Sequence, residues 1–204
     1  NFSKKNLNLP NKGIIFCCFN SNYKITPTIF KSWMNILKKV SESVLWLYVD
    51  NETAKNNLRN EASKSGINSK RIIFAEKISV VHEHLQRTSF ADIFLDTTPY
   101  NAHTTASDAI RVGLPIITLI GNSFASRVAA SILHSAGMSN LIAETLDEYE
   151  KIAIELATNK ERLLKTKQKI KAYNRNGPLF DCLNFTKNLE NIYLKLDRER
   201  NQKI

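Results

Sequence analysis

The sequence predicts a doubly wound α/β domain, an open parallel sheet with helices on both faces. Three observations carry that expectation. Several short runs are apolar at every position rather than at alternate ones, which marks strands covered on both sides. Longer amphipathic segments with apolar residues at helical spacing separate those runs. Glycines close three of these segments, at Gly66, Gly113 and Gly137.

Taken in order, residues 13–19 (GIIFCCF) form the first strand. Thr26 then reads as an N-cap with Pro27 at the first helical position, and Ile29, Phe30, Trp33, Ile36 and Leu37 follow as one stripe. Residues 43–49 are the second strand, and a helix over 52–65 stops at Gly66. A third strand spans 71–75, a short helix 81–88, and a fourth strand 91–96. Residues 104–112 read as a helix closed by Gly113, and 115–120 as the fifth strand. Ala125, Val128, Ala129, Ile132, Leu133 and Ala136 make a single apolar stripe that Gly137 ends. Residues 141–143 read as a short last strand. The chain is helical from there, with Tyr149, Ile152, Ala153 and Leu156 on one face, until Asn176, Gly177 and Pro178 break it. A final helix carries Phe185, Leu189, Ile192, Tyr193 and Leu196. Two units follow: a Rossmann-like domain over 1–176 and a C-terminal helix over 177–204.

Composition narrows the classes. The chain has 204 residues, 43% hydrophobic and 24% charged, which excludes disorder and fibrous repeats. No apolar run approaches the ~18 residues of a membrane span. Of three cysteines, Cys17 and Cys18 are adjacent and Cys182 stands apart. That is no disulfide framework or zinc spacing, and it fits the reducing cytoplasm. The first residue is Asn1 and no signal peptide is visible, so the chain reads as a piece of a longer one. Net charge is +10, with +3 in residues 1–150 and +7 in residues 151–204. The basic excess lies on helical segments and reads as a solvated face. No zinc finger, RNA-recognition signature or arginine-rich tract accompanies it, which argues against a nucleic-acid partner.

In doubly wound folds ligands bind at the carboxyl ends of the strands. After the fourth strand, His103, Thr104 and Thr105 stand at a helix start, where free amides and the helix dipole favour phosphate. Asp108, one turn on, is within reach of a ribose hydroxyl. The alternative is a capping box of Thr105 with Asp108, which needs no ligand. After the first strand, Lys24 precedes the Thr26–Pro27 helix start and suits a diphosphate, or else is a solvated loop lysine. His82, His84 and Arg87 follow the third strand. His82 and His84 are too close in sequence to share a helix face, which argues against a metal pair, and His134 reads as a surface residue. Gly-x-Gly-x-x-Gly, Walker, Gly-x-Ser-x-Gly and Asp-x-Asp patterns are all absent.

Several blocks together carry a resemblance: Phe16-Cys-Cys-Phe-Asn-Ser-Asn-Tyr-Lys24-Ile-Thr-Pro27, Leu95-Asp-Thr-Thr-Pro-Tyr-Asn-Ala-His-Thr-Thr105, Gly121-Asn-Ser-Phe-Ala-Ser-Arg-Val-Ala-Ala-Ser131 and Pro178-Leu-Phe-Asp181. In this order, over essentially the whole chain, they resemble the C-terminal catalytic half of the O-linked N-acetylglucosamine (O-GlcNAc) transferase family, SPINDLY-type fucosyltransferases included. The resemblance implies the donor-binding half of a GT-B glycosyltransferase, metal-independent and inverting, that uses a UDP-sugar, UDP-N-acetylglucosamine foremost, to modify Ser or Thr hydroxyls of proteins. It implies no cofactor. Implied partners are an N-terminal catalytic lobe outside this chain and tetratricopeptide repeats, with the last helix crossing to that lobe. Lys24 matches the lysine on the diphosphate, and His103, Thr104 and Thr105 the phosphate-holding helix start. Lys24 and His103 are the implied catalytic pair. Asp108 matches the ribose-binding acid, and His84 and Arg87 lie near the nucleoside, Arg87 beside the uracil. Ser21 stands where the family commonly has glutamine, and Val81 where it often has lysine. These departures leave a nucleotide sugar other than UDP-N-acetylglucosamine open, as are a non-catalytic binding module and an asparagine-linked transferase.

Overall fold

A computed structural model describes residues 2–201. Six strands make one sheet: β1 (Ile15–Cys18), β2 (Val44–Tyr48), β3 (Ile72–Ala75), β4 (Ile93–Leu95), β5 (Ile116–Leu119) and β6 (Ile142–Ala143). Their order is β3-β2-β1-β4-β5-β6, and every pairing is parallel. The chain winds outward from β1 to β3, then returns to the other side of β1 with β4. The expected doubly wound sheet is therefore present, and its switch point lies between β1 and β4, where Phe16 pairs with Ile93 and Cys17 with Phe94.

The helices are α1 (Pro27–Lys39), α2 (Glu52–Lys64), α3 (Val81–Thr88), α4 (Thr104–Arg111), α5 (Val128–Ser135), α6 (Leu146–Thr158), α7 (Lys160–Asn176) and α8 (Cys182–Asn201). Thr26 caps α1 as expected, its hydroxyl accepting from the Ile29 amide at 3.3 Å, with Pro27 at the first position. Gly113 closes α4 at φ 79°, which lets the Leu114 amide turn back to the Ala109 carbonyl at 2.9 Å.

Burial follows the patterns that announced it. Every residue of β1 and β4 is buried, and α1 inserts Ile29, Trp33, Ile36 and Leu37 against the sheet. Each such side chain contributes about 1.5–3 kcal/mol of transfer free energy. A polar seam crosses this core. Trp33 Nε1 donates to Tyr149 Oη at 3.0 Å, and Tyr149 Oη donates to the Asp96 carbonyl at 2.9 Å, joining α1 and α6 to the end of β4.

Two boundaries differ from the sequence reading. The Ala125 stripe does not begin in α5. Ser123 and Ser126 form a reciprocal capping box around a 3-10 turn at Phe124–Ser126, and α5 starts at Val128. The long helical stretch after β6 is two helices. Asn159 ends α6 and also caps α7, its Oδ1 accepting from the Arg162 amide at 2.9 Å. The break at Gly177 and Pro178 leads into α8, which buries none of its described side chains. The C-terminal unit expected over 177–204 is described as far as Asn201.

Candidate functional site

The carboxyl ends of β1 and β4 lie side by side, and their loops face each other. The β1 loop places Asn20 in the interior, then makes a 3-10 turn over Asn22–Lys24 before Thr26 opens α1. The β4 loop runs from Asp96 to His103 and contains a cis Thr98–Pro99 peptide bond. Between them lies an open groove of about 290 Å³, lined by Ser21, Lys24, Tyr100, His103, Thr104 and Thr105 among others. The structure thus brings the four residues expected on the diphosphate, Lys24, His103, Thr104 and Thr105, into one groove together with Ser21.

Each is held by an identifiable contact. Lys24 Nζ donates to the Asn101 carbonyl at 3.1 Å and sits 3.7 Å over the Tyr100 ring centroid. Partial burial lowers its pKa from the ordinary lysine value, while Asp96 and Cys18 oppose that shift. Lys24 is therefore fixed rather than a freely solvated loop lysine. His103 is the N-cap of α4, and its carbonyl accepts from the Ala106 and Ser107 amides, both at 3.1 Å. Its ring lies between Tyr100 and Phe124, at centroid distances of 5.3 and 6.2 Å. His103 Nε2 is shielded from solvent and has no hydrogen-bond partner among the described residues. The amides of Thr104 and Thr105, first in α4, have no carbonyl one turn earlier to meet and point toward the groove end of the helix. Ser21 starts the 3-10 turn, and its carbonyl accepts from the Lys24 amide at 3.0 Å.

The capping box suggested by Thr105 and Asp108 does not form. The Thr105 hydroxyl donates instead to Asn20 Oδ1, 85 positions away in sequence. Asp108 turns toward α3, with Oδ2 3.9 Å from His84 Nε2. Arg87 Nη2 lies 2.9 Å from His84 Nδ1. A guanidinium can only donate, so Nδ1 accepts and the neutral ring carries its proton on Nε2, facing Asp108. Burial, then the Arg87 charge, lowers the His84 pKa from its ordinary value, against the pull of Asp108. Burial raises the Asp108 pKa, with His84 and Arg111 opposing. Arg87 is itself buried, stacks 5.0 Å from the Phe19 ring, and donates to the Glu76 carbonyl. It borders two recesses, of about 170 and 230 Å³, at the ends of β1, β2 and β3. His84, Arg87 and Asp108 thus form a second cluster beside the groove, on the side of the switch point toward β2. Val81 opens α3 exposed. His82 and His134 are both exposed, outside either cluster.

The sequence reading assigned no role to the residues beneath the groove. Asp96 is buried at the end of β4 and accepts four hydrogen bonds: from Thr118 Oγ1 at 2.7 Å, the Ala102 amide at 2.7 Å, the Thr97 amide at 2.8 Å and Asn20 Nδ2 at 3.1 Å. Burial pushes its carboxyl up to about 6 even against those donors. Asn101, also buried, donates to the Thr97 carbonyl at 2.8 Å. The available signal was the first polar residue after each of two apolar runs, Asn20 after residues 13–19 and Asp96 after Leu95.

The chain is similar to known proteins over most of its length. The family model of Glycosyl transferase family 41 matches residues 2–189. A probable UDP-N-acetylglucosamine–peptide N-acetylglucosaminyltransferase SEC of Arabidopsis thaliana is 39% identical over 189 residues, 92% of this chain and 19% of that protein. The corresponding enzyme of Caenorhabditis elegans is 34% identical over 93% of this chain and 16% of its own length. Among solved structures, a mutant of the Thermobaculum terrenum O-GlcNAc transferase superposes with a TM-score of 0.87 at 27% identity, covering 92% of this chain and 36% of that one. The chain therefore spans about a fifth or less of these two curated relatives. On the extent of the family match and of these identities, the chain belongs to glycosyl transferase family 41.

Proposed function

We propose that this chain is the donor-binding half of a metal-independent, inverting glycosyltransferase that moves a sugar from a UDP carrier to Ser or Thr hydroxyls of proteins. The observation that carries this reading is one groove with Lys24 on one wall and the start of α4 on the other. A diphosphate seated there meets an ammonium and two free helix amides at once. In transfer, an acceptor hydroxyl attacks the anomeric carbon, the bond to the diphosphate oxygen breaks, and the hydroxyl proton passes to water or to a base outside this chain. Negative charge grows on that oxygen, and Lys24 with the Thr104 and Thr105 amides stabilises it in place of a metal ion. His103 orders the helix start beside the leaving group. Asp108 takes the ribose, and His84 and Arg87 the nucleoside face, with Arg87 toward the uracil.

Residues 1–176 constitute the donor domain in this reading, and residues 177–204 a helix that crosses to an N-terminal lobe. That lobe, with tetratricopeptide repeats before it, supplies the acceptor contacts, as transfer requires both reactants held in line. No described helix is long and apolar enough to cross a membrane, and the unpaired Cys17, Cys18 and Cys182 support placement in the cytoplasm.

The test joins binding to transfer. Lys24→Ala should weaken UDP binding about ten- to a hundred-fold, the loss of a charge-assisted contact worth ~1.5–3 kcal/mol, and leave uridine binding within about twofold. In the longer protein the loss should fall mainly on kcat, since the leaving charge is greatest in the transition state. Mass spectrometry of an acceptor peptide incubated with a panel of nucleotide sugars, with and without chelator, identifies the sugar. No loss of UDP affinity in Lys24→Ala, or transfer that stops with chelator, overturns the corresponding part of the proposal.

A further inference from the structure

Asn20 lies beneath the groove with 2% of its surface exposed. Its Nδ2 donates to Asp96 Oδ1 at 3.1 Å and to Thr97 Oγ1 at 2.7 Å, so both amide protons are used. A carboxylate only accepts, which fixes the side-chain amide with its nitrogen toward Asp96 and its oxygen toward α4. That oxygen receives the Thr105 hydroxyl proton. Asn20 therefore has no proton to offer an anion in the groove. What it does is join the β1 loop, which carries Lys24, to the first turn of α4.

We infer that Asn20 is a positioning residue: anchored by Asp96, it holds Thr105 and so sets the gap between the Lys24 wall and the α4 wall of the diphosphate groove. The inference rests on the diphosphate reading of that groove. Two further bonds join the same loops, from Lys24 Nζ to the Asn101 carbonyl and from Thr26 Oγ1 to the Thr98 carbonyl at 3.3 Å. They anchor the β4 loop. The Asn20–Thr105 bond reaches the helix itself, whose amides are the anion donors. With its proton committed to Asn20, the Thr105 hydroxyl has none to give an anion, and the anion donors of this helix start are the Thr104 and Thr105 amides. Removing Asn20 frees the hydroxyl and lets the two walls separate.

The experiment is calorimetry of UDP and of uridine on the full chain and on Asn20→Ala, Thr105→Val, Thr105→Ser and the Asn20→Ala/Thr105→Val pair. Asn20→Ala should weaken UDP about tenfold and uridine less than about twofold. Thr105→Val breaks the same bond from the other side and should do no less, so it serves if Asn20→Ala fails to fold. Thr105→Ser restores a hydroxyl that can meet Asn20 and should recover most of the UDP affinity that Thr105→Val loses. In the Thr105→Val background, Asn20→Ala should add nothing, because its effect runs through Thr105. Unchanged or tighter UDP binding in Asn20→Ala, fully additive losses, or an equal loss for uridine each overturn the assignment. A chain that binds no UDP even unaltered fails the diphosphate reading itself, an outcome distinct from these.

Discussion

At the β1/β4 switch point, irregular backbone buries Asn20, Asp96, Thr97 and Asn101 almost completely. In α8, twenty residues of regular helix bury nothing, and Phe185, Ile192, Tyr193 and Leu196 are each more than half exposed. The loops have little apolar surface, yet their polar groups find one another: Thr97 Oγ1 donates to the Tyr100 carbonyl at 2.6 Å while accepting from Asn20, and Asn101 closes back on Thr97. The helix has an apolar stripe that nothing among the described residues buries. Burial here follows the availability of partners, and regular backbone alone does not supply them. In the proposed reading the contrast also separates functions: the donor groove is built on this network, in which Asn101 Oδ1 alone of these four residues' polar side-chain atoms stays buried without a partner among the described residues, while the uncovered stripe suits a contact made with another lobe.

The sharpest way to break the comparison is to remove the centre of the network. Asp96→Ala leaves two backbone amides, a threonine hydroxyl and the Asn20 amide without their acceptor. Buried donors left unpaired cost about 1–3 kcal/mol each, partly recovered by water entering the space. Urea unfolding should show a loss of about 3 kcal/mol or more. A loss below about 1 kcal/mol would mean that the loops are held by their other contacts and that Asp96 is incidental.

Much of this architecture is legible in the sequence, and the exceptions share a cause. The strands announce themselves because a parallel sheet covered on both faces must be apolar throughout. Lys24 and the His103–Thr105 segment are legible because a strand end followed by a helix start is a local pattern. Asn20 and Asp96 are not, since they meet across 76 positions, and neither residue type signals burial. Thr105 and Asp108 stand at capping-box spacing, but a stronger partner for each lies in another element. The two misplaced helix boundaries are of the opposite kind. Apolar spacing continues through Ala125 and past Asn159, while short polar residues, Ser123 with Ser126 and Asn159 itself, end or begin the backbone hydrogen bonding there.

A gentler perturbation of the same carboxyl is acid. Asp96 titrates near 6 in the folded protein against an ordinary value of 3.8, so the folded state takes up its proton first as pH falls. Its contribution to stability is therefore greatest below about 3.8 and is lost as pH rises through about 6. His84 works the other way, because its lowered pKa makes the unfolded chain the better proton acceptor near neutrality. Asp96→Asn removes the first effect and keeps the second. The stability of the unaltered chain relative to Asp96→Asn should thus rise by about 1–3 kcal/mol between pH 7 and pH 4. A constant difference across that range would show that the four donors hold the carboxylate ionised and outweigh its burial.

The smallest effect belongs to α8. Ile192→Ser and Phe185→Ser replace side chains that are 54% and 66% exposed, so each should change the unfolding free energy of this chain by no more than about 0.5 kcal/mol. Leu37→Ala, on the covered face of α1, should lose about 2–5 kcal/mol in the same assay and calibrates it. In a longer protein whose second lobe covers the stripe, Ile192→Ser should become costly, by about 1–3 kcal/mol, because the same side chain then leaves a desolvated contact. A loss above about 1 kcal/mol in the 204-residue chain would contradict the exposure of the stripe. Its dependence on protein concentration would then tell whether a second copy of the chain, rather than the domain it is joined to, provides the cover.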